Sequence, residues 1–109
     1  MPDVSVARND ELERYEIHAD GELAGFANFK SQVRAGREAI VFTHTETLPD
    51  FAGQGMGLAL AQAALADAVT RSLVIVPVCP FFQRYLSRNT VDGAVIEWPH
   101  DAELTDHAE

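Results

Sequence analysis

Cysteine and long apolar runs are what this chain has least of. Its 109 residues include a single cysteine, Cys79, which excludes an internal disulfide framework and a thiolate cluster for structural zinc. No apolar stretch approaches the roughly 20 residues that are needed to cross a bilayer. The N-terminal residues also lack the basic start and apolar run of an export signal. We therefore expect a protein of the reducing cytoplasm that folds by packing alone.

Positive charge is also scarce. Eight Lys and Arg residues stand against 17 Asp and Glu, for a net charge of -9. Scattered cations cannot neutralise a run of phosphates, which argues against a nucleic-acid partner, whereas a cationic partner is accommodated more easily. The length and the 47% hydrophobic content fit one globular core. We predict a single domain over residues 1–99 and a flexible acidic tail over residues 100–109.

The histidines do not form a metal-binding pattern. His18, His100 and His107 have no companion at metal-ligand spacing, so we predict no metal site.

The first half of the chain has the pattern of an antiparallel meander. Residues 12–19 alternate as a half-buried strand does, and Asp20-Gly21 suits a tight hairpin turn. A second strand over residues 22–30 and a turn at Ala35-Gly36 follow. The third strand, residues 39–47, is rich in β-branched side chains.

The second half predicts a helix, a buried strand and a further helix. Residues 58–70 are alanine-rich, and a helical face is formed by Leu58, Ala61, Leu65, Ala68 and Val69. The continuous apolar run of residues 73–78 predicts a strand buried on both faces, in which Pro77 indicates a bend or a gap in pairing. A helix over residues 81–88 and an extended piece over residues 94–98 complete the order. We predict an α/β (α+β) fold in which a β-α-β crossover and a further helix follow the meander on a mixed central sheet.

Glycines cluster where the third strand gives way to the first helix. Residues 53–57 read Gly-Gln-Gly-Met-Gly. Such a turn leaves the first amides of the helix uncovered, and with the helix dipole they can bind a phosphate or diphosphate. A Walker loop would need Lys and Ser or Thr after the last glycine, where Leu58-Ala59 stand. A dinucleotide fingerprint would need a glycine at position 58 and an early parallel strand.

Three motifs in order resemble the GCN5-related N-acetyltransferases. Residues 52–57 are similar to the family's diphosphate loop, with Ala52 where the family usually has Arg or Gln. His44-Thr45-Glu46 before the loop and Cys79-Pro80-Phe81 after the next strand resemble a short, stand-alone group within that superfamily. The resemblance covers about residues 15–89 and leaves residues 91–98 unmatched.

The resemblance implies acetyl-coenzyme A as the cofactor and an unidentified amine as the acceptor. Acetyl-coenzyme A would lie between splayed strands, with its pantetheine on the backbone of Leu48 and its diphosphate on the glycine loop. The cofactor-binding residues implied in this way are Leu48, Gly53, Gln54, Gly55, Met56, Gly57 and Leu58.

Acetyl transfer also needs proton-transfer groups. His44 is the candidate base, since an imidazole titrates near neutral pH, although a packed histidine is the plainer interpretation. Cys79, just before a helix N-terminus, would accept the acetyl group or assist the leaving thiolate, unless it is simply a buried small side chain. Tyr85 resembles the family's tyrosine acid, with helix packing as its alternative. Glu46 would orient His44 or attract a cationic amine, or be merely solvated.

Other functions stay open at this point. The same fold could bind coenzyme A without catalysis, or act as a protein-interaction module through residues 91–98. A cysteine-dependent acyl hydrolase would need a histidine within reach of Cys79. The sequence leaves the acceptor open, and it does not distinguish a monomer from a homodimer.

Overall fold

The computed structural model describes residues 3–99. In chain order its elements are β1 (Val4–Asn9), β2 (Arg14–Ala19), β3 (Glu22–Arg34), β4 (Arg37–Thr47), a 3₁₀ turn (Pro49–Phe51), α1 (Met56–Thr70), β5 (Val74–Pro77), α2 (Pro80–Arg88) and β6 (Val95–Ile96). The tail predicted over residues 100–109, with His100 and His107, lies outside the described residues. The single domain over residues 1–99 stays a prediction.

The strands form one mixed sheet, as predicted. Its six strands lie side by side in chain order. β1 to β4 pair antiparallel, and β5 and β6 continue the sheet parallel to β4. The two tight turns are confirmed: φ is 51° and 86° at Asp20-Gly21, and 51° and 79° at Ala35-Gly36. Positive φ at both central residues suits the right-handed twist of a hairpin.

The strand β1 was not predicted. It pairs with β2 over its whole length, from Val4 opposite Ala19 to Asn9 opposite Arg14. All six of its side chains are exposed or half-buried. Their apolar alternation is limited to Val4 and Val6, which is too short to predict a strand. Backbone pairing also extends β3 to Arg34 and starts β4 at Arg37, beyond the predicted limits, because exposed hairpin positions need no apolar pattern.

Both helices cover the same face of the sheet. The main core joins α1 and α2 to inward side chains of β2 to β5, among them Tyr15, Ile17, Phe42 and Ile75. The ring of Phe82 stacks on Phe42 with 4.2 Å between centroids.

The predicted apolar face of α1 is right at its centre and wrong at its start. Ala61, Leu65 and Ala68 are fully buried, but Leu58 is 49% exposed and Leu60 takes the core position. Leu58 lies on the side of the first turn that lines an open groove, whereas Met56 and Leu60, one turn apart on the sheet side, are buried in the core. Each fully buried leucine contributes about 1.5–3 kcal/mol through the hydrophobic effect.

A polar cluster ties the far end of α1 to the first two strands. The hydroxyl of Tyr15 donates to the Asp67 carboxylate at 2.5 Å, and Arg71 Nε donates to the same carboxylate oxygen at 2.7 Å. Arg8 Nη1 donates to the Tyr15 hydroxyl at 3.3 Å. Burial of Tyr15, together with its hydrogen bond to Asp67, raises its pKa from 10.0 to about 12. The phenol therefore stays protonated in the folded protein well above the pH at which it ionises in the unfolded chain.

Replacing Tyr15 by Phe should destabilise the protein at neutral pH by about 1–2 kcal/mol, since a hydrogen bond to a charged acceptor is lost. The folded state holds the Tyr15 proton more tightly than the unfolded state, so stability should fall as pH rises from 10.0 to about 12. Urea unfolding followed by circular dichroism over this range should show a steeper fall in wild type than in Tyr15→Phe. Tyr85→Phe, the matched control, should retain the steep fall. Equal slopes in wild type and Tyr15→Phe would contradict this account.

Candidate active site

The site begins where β4 and β5 stop pairing. Their last paired residues are Phe42 and Pro77. The amides of Val78 and Cys79 both donate to the Phe42 carbonyl, at 3.0 and 2.8 Å, after which the chain turns into α2. β4 continues to Thr47 without β5 beside it. Of the two predicted alternatives at Pro77, a bend or a gap, the ladder shows an end of pairing: Pro77 still pairs with Phe42, and pairing stops directly after it. Within residues 3–99, no strand pairs with residues 44–47 on this side.

A β-bulge at Thr43 sets which way these residues face. In the β3–β4 ladder, Asn28 is opposite His44 whereas Phe29 is opposite Phe42, so Thr43 is the extra residue. The bulge shifts the alternation of side chains by one. Thr45 therefore faces the helices, as Phe42 does, and His44 faces away from them.

The glycine loop forms an open helix start. Gly53 and Gly55 both have φ of +78°, a left-handed conformation that glycine adopts without strain. Gly55 is the N-cap of α1, and in the part of the chain that the structure describes no side chain caps the helix. The first backbone bond of α1 runs from the Ala59 amide to the Gly55 carbonyl at 3.1 Å. The amides of residues 56–58 precede that bond and remain open to an acceptor, as predicted from the sequence.

A groove of about 480 Å³ joins the loop to α2. Its lining residues are Thr47, Ala52, Gly53, Gly55, Met56, Gly57, Leu58, Phe81, Arg84, Tyr85, Arg88 and Asn89. The groove thus has the glycine loop and first turn of α1 on one side and α2 on the other.

Close packing at Gly57 sets the inner width of this groove. A Cβ added at Gly57 would lie 3.1 Å from the ring of Phe81 and 3.7 Å from Thr47 Oγ1. Only glycine lets the first turn of α1 come this close to α2 without displacing the ring.

Two residues predicted to bind the cofactor lie outside the lining set. The Leu48 amide donates to the Ala24 carbonyl at 2.8 Å, and the Leu48 carbonyl accepts from the Phe51 amide at 2.9 Å. The Gln54 side chain donates to the Asp50 carbonyl at 3.3 Å. Leu48 therefore anchors the start of the loop to β3, and Gln54 supports the loop through a local hydrogen bond.

Cys79 is buried at the inner end of the gap. It is 3% exposed, and its Sγ lies 3.3 Å from Thr45 Oγ1. This contact joins the end of β5 to β4 just past their last paired residues. The thiol therefore faces the helix side of the sheet.

His44 lies on the opposite side of β4 from this thiol. Its side chain is 57% exposed, and Nε2 lies 3.3 Å from Glu46 Oε1. The Phe26 ring is 6.3 Å away, centroid to centroid. The structure therefore places His44 next to Glu46, whose side chain is itself half exposed, and does not bring His44 together with Cys79.

Tyr85 lines the groove, one helical turn after Phe81. It is half-buried, and its position on α2 directs it toward the same space as the glycine loop. The half-buried ring of Phe81 lies beside it, whereas the ring of Phe82 is in the core.

The sequence reasoning missed the other polar residues of the α2 wall. Arg84, Arg88 and Asn89 line the groove together with Tyr85. The spacing from Phe81 through Arg84 and Tyr85 to Arg88 places these residues on one helix face. That spacing was a signal present in the sequence.

Two classes of feature are missing from residues 3–99. No group of three or more His, Cys, Asp or Glu residues there could hold a metal ion. Within the same part of the chain, neither helix has the length and apolar character needed to span a membrane.

Comparisons with known proteins identify the family. A family model described as GCN5-related N-acetyl-transferase matches residues 14–94. No protein of curated function matches the sequence. A solved structure of a ribosomal-protein-alanine N-acetyltransferase from Brucella melitensis biovar Abortus 2308 is similar, with a TM-score of 0.61 and 22% identity over 80% of this chain and 66% of the other. An integron cassette protein from the mobile metagenome of V. cholerae gives a TM-score of 0.56 and 13% identity over 88% and 65%.

The chain therefore covers about two thirds of the length of these two proteins, and at such identities the likeness concerns the fold. The family match shows more than the fold, because the matched residues 14–94 include the bulge, the strand gap, the glycine loop and the groove. This chain belongs to the GCN5-related N-acetyltransferase family.

Proposed function

We propose that this protein transfers an acetyl group from acetyl-coenzyme A to an amine. The observation that carries the proposal is the groove beside the strand gap, where the open amides of residues 56–58 face α2. Family membership supports the reaction class.

The residues around the groove suit the coenzyme. A Cβ at Gly53 or Gly55 would meet no protein atom within 4 Å, so the loop is bordered by open space in which a diphosphate can lie. Its oxygens would accept hydrogen bonds from the amides of residues 56–58, where the helix dipole favours negative charge. When bound, the coenzyme supplies an acetyl group on a thioester.

We assign the pantetheine contacts to the unpaired edge of β4. Residues 44–47 lie beyond the last β4–β5 pair, so their backbone groups on that side have no partner in β5. Leu48 retains one role in this assignment, because its carbonyl has a second lone pair besides the one that accepts from Phe51. The Leu48 amide is already engaged by β3.

His44 is the proposed general base. With Nε2–H donated to Glu46, the lone pair of Nδ1 would take the proton of the acceptor amine. We propose that the acceptor and the coenzyme meet at the gap between β4 and β5, which lies between the exposed face that carries His44 and the helix face that carries the groove. The acceptor would then approach from one face and the coenzyme from the other.

Tyr85 and Cys79 are the proposed residues on the coenzyme side. The Tyr85 hydroxyl, in the groove, would return a proton to the departing thiolate. Cys79 is buried against Thr45, so we propose that it shapes the thioester end of the gap and assists there, without carrying the acetyl group.

The acceptor is proposed to be cationic. Glu46 lies beside His44, and the chain carries a net charge of -9, which attracts a positively charged amine. The single unpaired cysteine suits a reducing cytoplasm, where we place the protein.

A non-catalytic coenzyme-binding protein is the second candidate. Ala52 stands where the family usually has Arg or Gln, and His44 is separated from Cys79 by β4. The non-catalytic candidate would be favoured if the protein bound the coenzyme but acetylated none of a broad set of amines.

Gly55→Glu should strongly weaken acetyl-coenzyme A binding. It places bulk and negative charge where the diphosphate is expected, and calorimetry should show at least a roughly tenfold loss of affinity. Gly36→Glu is the matched control, since Gly36 has φ of +79° and an equally open surrounding at a distant hairpin. Each variant also carries about 1–2 kcal/mol of backbone strain.

The control separates a site effect from strain and charge. Gly36→Glu should bind acetyl-coenzyme A as wild type does. Failure of the folded wild type to bind would overturn the proposed function, and equal loss in both variants would show that the loop is not the site.

His44→Gln should lower kcat for acetylation by about a hundredfold, the lower range for loss of a general base. Affinity for acetyl-coenzyme A should be unchanged, because His44 faces away from the groove. His18→Gln is the control: His18 is on β2, with Nε2 3.9 Å from Glu16 Oε1. Steady-state rates measured against pH would check this prediction. An unchanged kcat in His44→Gln would show that His44 is not the general base.

The protein should not become acetylated on Cys79 during turnover. Intact-mass analysis after rapid mixing with acetyl-coenzyme A, without acceptor, should show no added acetyl group in wild type. Cys79→Ala should keep measurable activity, lowered by roughly tenfold or less, since no covalent step is lost. A burst of acetylated protein that is absent in Cys79→Ala would establish the covalent route instead.

A further inference from the structure

Some Lys and Arg side chains of this acidic protein form ion pairs with carboxylates, and others do not. Of its eight Lys and Arg residues, all of which lie within residues 3–99, five form ion pairs with a carboxylate. These are Arg8 with Asp10, Arg14 with Glu16, Lys30 with Glu13, Arg34 with Glu97 and Arg71 with Asp67. The remaining three, among the described residues, are Arg37, Arg84 and Arg88.

Two of these three unpaired arginines share one groove. Arg84 and Arg88 both line the space opposite the glycine loop, and both are exposed. Arg37 lies at the β3–β4 hairpin. Unpaired positive charge is therefore concentrated at the proposed coenzyme site.

Helix stability alone does not account for this pair. Like charges four residues apart on a helix repel, at a cost of about 0.2–0.5 kcal/mol. Arg88 is in the last turn of α2, where the helix dipole favours a cation, but Arg84 lies a turn earlier. A ligand with strong negative charge would turn the repulsion into a favourable interaction.

The coenzyme offers more negative charge than the loop can take. The amides of residues 56–58 suit the diphosphate, whereas coenzyme A also carries a phosphate monoester on its ribose. A monoester has nearly two negative charges at neutral pH, and arginine binds phosphate through paired N–H donors. We propose that Arg84 and Arg88 bind the ribose 3′-phosphate and select coenzyme A over its dephospho form. This inference rests on the proposed function.

Calorimetry on the full chain would test it with two ligands, coenzyme A and dephospho-coenzyme A. In Arg84→Gln/Arg88→Gln, affinity for coenzyme A should fall roughly tenfold, the size expected for exposed charge-assisted hydrogen bonds. Affinity for dephospho-coenzyme A should change less than about twofold, because that ligand lacks the 3′-phosphate. Arg84→Lys/Arg88→Lys, which keeps the charge, should restore part of the selectivity.

Arg37→Gln is the control for an unpaired cation outside the groove, and it should leave both affinities unchanged. Thermal unfolding would establish that every variant is folded. The preference of wild type for coenzyme A should shrink as salt rises, since exposed charges are screened.

The outcomes separate this inference from the function on which it rests. If wild type binds both ligands equally, or if the double glutamine variant keeps the wild-type preference, the 3′-phosphate contact is wrong and coenzyme binding stands. Equal weakening of both ligands would place the arginines on the diphosphate and also overturn the assignment. No binding of either ligand by wild type would overturn the inference and the proposed function together.

Discussion

The site depends on one carbonyl group. The Phe42 oxygen accepts both the Val78 and the Cys79 amide, so β5 cannot follow β4 any further. The parallel ladder ends there and α2 begins at Pro80, so within residues 3–99 no strand pairs with the last residues of β4 on this side. The groove exists because the glycine loop and α2 both start at this end of the sheet. The same Phe42 ring stacks on Phe82, which fixes α2 relative to β4.

Local signals in the sequence were enough for much of this arrangement. The two hairpin turns require positive φ, which Gly21 and Gly36 supply. The glycines before α1 predicted its open start, and Pro77 predicted the end of pairing. Each of these features follows from the backbone preferences of a few neighbouring residues. That is why they could be read from the chain without its partners.

Features that depend on distant residues could not be read in this way. β1 is an edge strand held by pairing with β2, and its own side chains carry little apolar pattern. The bulge at Thr43 is visible only in the register with β3, and it separates His44 from Cys79. Leu58 is exposed where Met56 and Leu60 are buried, and which side of α1 packs on the sheet depends on the strands beneath it. The helical spacing of Arg84 and Arg88 is visible in the sequence, but their position opposite the glycine loop depends on how α2 packs.

The extra residue at Thr43 reverses which side chains of β4 face the helices and which face outward. Before it, β4 directs Ile40 and Phe42 into the core, whereas after it the exposed row is His44 and Glu46. The two halves of the strand are therefore free to change independently. Substitutions in the outward row can alter the exposed surface of β4 without disturbing the buried half. That surface can in this way diversify on an unchanged scaffold.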